Sequence, residues 1–107
     1  MPTEHVLVLS TAPTESEALS LAHALVDARL AASVQVSAQV RAVYRWRGDV
    51  HDEPEWQLSI KTAADKVPDL VAWLPARHSY EVPELVVLPI TGGWPPFLEW
   101  ITAETRA

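Results

Sequence analysis

Cysteine is absent from the 107-residue chain, which excludes disulfide cross-links and thiolate chemistry of any kind. Glycine is scarce, at three residues, and no glycine-rich phosphate loop is present. Basic residues are in the minority. Eight Lys and Arg stand against fourteen Asp and Glu, and the net charge of -6 argues against a nucleic-acid surface. No apolar run approaches the roughly 20 residues of a transmembrane helix. The N-terminus has no charged stretch leading into an apolar one, so no secretory signal is visible. Together these absences predict a soluble cytoplasmic protein with no membrane or nucleic-acid partner. No repeat, linker or low-complexity tract interrupts residues 1–107, which are expected to form one domain.

Two features that are present point to an oligomer. Apolar residues make up 49% of a chain too short to cover all of them by itself. Five Trp residues stand out in so short a chain, and aromatic rings are enriched where subunits meet.

The pattern along the chain alternates strands with helices. Residues 5–11, HVLVLST, have the size of a buried strand. Thr14 followed three residues later by Glu17 has the spacing of a capping box. Ala18, Leu21, Ala22, Leu25 and Val26 then mark one apolar helical face, which runs to about Leu30. Arg29 suits the C-terminal end of that helix. Ala32, Val34 and Val36 alternate with polar neighbours, as in a strand.

After a break near Ala38, residues 40–61 read as a long two-stranded ribbon. Val40, Ala42, Tyr44 and Trp46 alternate with Arg41, Val43, Arg45 and Arg47 on the way out. Trp56, Leu58 and Ile60 alternate with Gln57, Ser59 and Lys61 on the way back. Gly48-Asp49 is the expected turn, which places Arg45 opposite Asp52. Pro54 lacks an N–H and predicts a bulge or an edge.

Asp65 can cap a second helix with Pro68 in its first turn, and Pro75 distorts or ends it near Arg77. Residues 85–88 are continuously apolar and read as a strand buried on both faces. Pro95-Pro96 opens a last short helix. This order predicts an α+β fold. It is a ferredoxin-like βαββαβ sandwich with a long hairpin between its second and third strands and an extra C-terminal helix.

Chemistry-bearing residues concentrate in residues 78–84, where His78, Tyr80, Glu81 and Glu84 precede the last strand. Imidazole with carboxylate can hold a divalent transition metal, although a solvated loop accounts for the same spacing. Arg41, Arg45 and Arg47 could hold an anion, but pairing with Asp52, Glu53 and Glu55 is the simpler expectation. Arg47-Gly48-Asp49 is turn chemistry. Ser10, Ser33 and Ser79 lie in no nucleophile elbow, so catalytic residues are not expected and the chain is not read as an enzyme.

The segments VLVLSTAP, ALVDARLAASVQV, YRWRG, LSIKT, SYEVPELVVLPI and FLEWI follow one another in an order that resembles the CutA family of divalent-cation tolerance proteins. The resemblance spans residues 6–101. Tyr44, Trp46 and Gly48, together with Tyr80, Pro83 and Glu84, are its most specific part. It implies a PII-like fold, a tight homotrimer to whose contacts the ribbon contributes, and a link to copper and other divalent metals. Ser10 and Ser33 stand where copper-binding members carry Cys, and Arg77-His78 stands where they carry a His pair. The resemblance therefore implies a weak site for copper or another divalent metal at His78 and Glu84, with no cofactor required. It also leaves open a small-ligand or partner-binding module, or a structural trimeric scaffold without metal.

Overall fold

The computed structural model describes residues 4–106. β1 (His5–Ala12) leads into α1 (Glu15–Asp27), followed by β2 (Ser33–Trp46) and β3 (Asp49–Ala63). A single 3-10 turn (Ala64–Lys66) precedes α2 (Val67–Arg77), then β4 (Val86–Pro89) and α3 (Pro95–Glu104). The four strands form one antiparallel sheet in the order β2-β3-β1-β4, the ferredoxin-like arrangement expected.

One face of the sheet makes the core. Val6, Val8, Leu58 and Ile60 point to it and pack with Leu21 and Leu25 of α1 and Leu70 and Leu74 of α2. Burying each large side chain contributes roughly 1.5–3 kcal/mol. Thr14 caps α1, its Oγ1 accepting from the N–H of Glu17 at 3.1 Å. Arg29 falls outside the last turn of α1, in left-handed backbone with φ 57°, and reaches the carbonyl of Glu104 at 3.1 Å. Asp65 does not cap α2, which starts after the 3-10 turn with no side-chain cap. Pro75 sits inside α2, which ends at Arg77 as expected.

The ribbon forms, but one residue out of the expected register. Trp46 pairs with Asp49, so the two turn residues are Arg47 and Gly48 rather than Gly48 and Asp49. Their φ values of 51° and 88° are the pair of positive angles a type I′ hairpin requires. Arg45 therefore faces Val50, and Asp52 faces Val43 and bonds Arg41 at 3.0 Å.

Pro54 explains the choice of register. Hydrogen-bonded and non-hydrogen-bonded pairs alternate along an antiparallel ribbon. Counted from the closing pair Trp46–Asp49, the pair Arg41–Pro54 is non-hydrogen-bonded, so the missing N–H costs nothing. A Gly48-Asp49 turn would move Pro54 onto a bonding position. Of the bulge or edge expected at Pro54 the edge is found, because β1 pairing ends at Trp56, while the ribbon's bulge lies at Ser37-Ala38, which together oppose Gln57. There the Ser37 hydroxyl accepts from the Gln57 N–H at 2.9 Å.

The last strand departs most from expectation. β4 lies at the edge of the sheet, and Val86, Val87 and Leu88 are 46%, 38% and 41% exposed. The register places Val86 and Leu88 beside Leu9 and Leu7 on the face opposite the core. These four side chains make an apolar stripe that the described residues do not cover.

Candidate functional site

His78 is the C-cap of α2, and its side chain is fully buried. Its Nε2 meets the carbonyl of Thr11 at 2.6 Å, and its Nδ1 accepts the N–H of Tyr80 at 3.0 Å. An acceptor at Nδ1 places the ring proton on Nε2, which donates to Thr11. Nε2 thus ties the loop after α2 to the end of β1, and Nδ1 braces the backbone of that loop. Glu17, in the first turn of α1, secures the same loop by accepting from the N–H of Ser79 at 3.1 Å. Its side chain spans to this loop.

Glu84 is exposed, and its backbone carbonyl accepts from the buried Ser10 hydroxyl at 2.7 Å. His78 and Glu84 are therefore each bonded to adjacent residues of β1. Among the described residues, no group of three His, Cys, Asp or Glu is placed to hold a metal ion.

A cleft of about 510 Å3 opens between the ribbon and residues 80–84. Tyr44, Trp46, Glu55, Tyr80, Glu81 and Glu84 line it. Glu55 is only 7% exposed, and its Oε2 accepts from the Tyr80 hydroxyl at 3.0 Å. Beside it the Tyr44 hydroxyl donates to Glu53 at 3.1 Å. At the rim Arg47 pairs with Glu81 and lies 5.1 Å from the centroid of the Trp46 ring. Each arginine of the row thus has its own partner in the chain. Arg41 takes Asp52, Arg47 takes Glu81, and Arg45 donates to the carbonyl of Gly48 at 3.3 Å.

The Tyr80 hydroxyl is held well above its ordinary pKa of 10.0, first by burial, then by its bond to Glu55 and the charge of that carboxylate. The folded chain keeps this proton at a pH where the unfolded chain releases it. Above about pH 10 the unfolded state binds fewer protons, so stability falls as pH rises. Tyr80→Phe is expected to flatten that alkaline limb, read as the urea midpoint between about pH 9 and 11. An unchanged slope would contradict the assignment.

The sequence profile described as CutA1 divalent ion tolerance protein matches residues 6–104. The chain belongs to the CutA family. It is similar to the divalent-cation tolerance protein CutA of Thermus thermophilus, at 40% identity over 92% of this chain and 96% of that one. It is 37% identical to mouse Protein CutA over 91% of its length, but spans only 55% of that longer relative. The crystal structure of CutA1 from Shewanella sp. SIB1 superimposes with a TM-score of 0.95 at 34% identity, each chain covered in full.

Within the CutA frame, the two serines at the expected thiol positions do not form one site. Ser10 pairs with Leu58 on the core face, whereas Ser33 pairs with Lys61 on the other face. Reasoning from the sequence did not find Glu55 as a cleft residue. The available signal was its ribbon position, across from Val40 and one residue from Trp56.

Proposed function

We propose that this CutA-family chain serves divalent-cation tolerance as a cytoplasmic homotrimer without catalytic activity, binding copper or another divalent metal only weakly. The observation supporting assembly is the uncovered stripe of Leu7, Leu9, Val86 and Leu88 on the open face of the sheet. Contiguous exposed apolar surface of this kind marks an interaction site. Closed rotational symmetry buries such a stripe equivalently in every subunit. The ribbon beyond β1, with Trp46 exposed near its tip, would then reach a neighbour.

For the metal, His78 and Glu84 remain the proposed ligands. A metal ion needs a free imidazole lone pair, and His78 supplies one only by giving up a hydrogen bond. That cost is the reason the binding is weak. Calorimetric titration with Cu(II) and Zn(II) should show weak binding that Glu84→Ala reduces and the His78→Ala, Glu84→Ala pair abolishes. Equal binding by wild type and the double variant, with both folded by circular dichroism, would remove this site. The cleft at Glu55 favours a second reading, in which the assembly also acts as a small-ligand module.

A further inference from the structure

We propose that the cleft between the ribbon and residues 80–84 binds an organic ammonium ion. Its charge would be met by Glu55 and its body by the rings of Tyr44, Trp46 and Tyr80. This deepens the small-ligand reading by naming the ligand's chemical class.

Glu55 supplies the negative charge that lines the cleft. A carboxylate that is 93% buried is normally paired with a cation. Among the described residues, no Lys, Arg or His nitrogen lies within 4.0 Å of it. Its Oε2 has the Tyr80 hydroxyl, and its Oε1, which keeps contact with solvent, has no protein partner among the described residues. The side chain nevertheless lines an open cleft, so a cation arriving from solvent can reach it.

The walls decide which cation. Transition metals prefer imidazole and thiolate, and calcium takes six to eight oxygen ligands. No suitable group of three ligating side chains is present among the described residues. Tyr and Trp faces supply what an ammonium ion uses, because the ring quadrupole attracts a cation that cannot be coordinated. The rim already shows this chemistry, with the Arg47 guanidinium against the Trp46 ring and the Glu81 carboxylate. Glu84, exposed at the cleft's edge, adds negative potential and suits a second positive group. A volume of about 510 Å3 accommodates a ligand well beyond a single hydrated ion.

Calorimetry on the intact assembly with choline, spermidine and 3,3-dimethylbutan-1-ol tests the proposal. The alcohol is the neutral counterpart of choline, and the two cations separate quaternary from protonated amines. At least one cation should bind tenfold or more tighter than the alcohol, and Glu55→Gln should weaken it by at least tenfold. Should Glu55→Gln fail to fold, Trp46→Ala takes its place and should weaken binding several-fold. Binding of both choline and spermidine no tighter than the alcohol would overturn the ammonium assignment while keeping a small-ligand cleft. Absence of binding by all three would overturn the ammonium proposal, as would a cation affinity unchanged by the folded variant. If binding of every kind is absent because a neighbouring subunit fills the cleft, the small-ligand reading fails with it.

Discussion

Leu88→Glu should leave the chain folded and take its assembly apart. Leu88 sits on the edge strand, 41% exposed, beside Leu7 on the open face of the sheet. In the isolated subunit a carboxylate there remains reachable by water, and exposed substitutions of this kind stay within about 0.5 kcal/mol. In an interface the same carboxylate is desolvated without a partner, which costs several kcal/mol at each copy. Symmetry repeats the penalty in every subunit. The expected result is a species of one-chain mass with a native-like circular dichroism spectrum, where the wild type gives an oligomer. A Leu88→Glu protein that stays assembled at the same concentration would place the interface elsewhere.

His78→Ala should cost about 3–4 kcal/mol of stability. Two components add up to this figure. Truncation leaves the buried Thr11 carbonyl without its partner, at about 1–3 kcal/mol, and the part-buried Tyr80 N–H without its own, at less than about 1 kcal/mol. The cavity left by a fully buried ring adds to that loss. The cleanest measurement is urea unfolding in the Leu88→Glu background, where dissociation no longer contributes to the apparent stability. A loss below about 1 kcal/mol would show that His78 does not lock the loop to β1. The result also bears on metal binding, because a histidine held only as a ligand would be dispensable for stability in the absence of metal.

The fold was legible because its signals are local. Thr14 to Glu17 marked the start of α1, and period-two alternation marked both arms of the ribbon. The register was less legible, since Arg47-Gly48 and Gly48-Asp49 are both credible turns. Pro54 decides between them through hydrogen-bond parity, an effect that requires knowing where the ribbon closes. The apolar run at residues 85–88 was read as covered on both faces. Hydrophobicity reports that a strand will be buried, but says nothing about whether its own chain does the burying. β4 makes that distinction: no described residue covers its open face.

The site was legible only in part, for a related reason. Residues 78–84 stood out by composition, and the structure does place them at the end of β1 and along a cleft. Their partners are distant in sequence. His78 bonds Thr11 across 67 positions, and Tyr80 meets Glu55 across 25. No spacing rule links such pairs. Glu55 looked like a ribbon carboxylate available to the arginine row, and only the tertiary structure separates it from those arginines.

The proposed assembly, closed over the open sheet face, is tested most directly by the mass of the particle. Light scattering coupled to size exclusion should give about 35 kDa at micromolar concentration, three chains of 11.8 kDa. A single species at 11.8 kDa under the same conditions would contradict it.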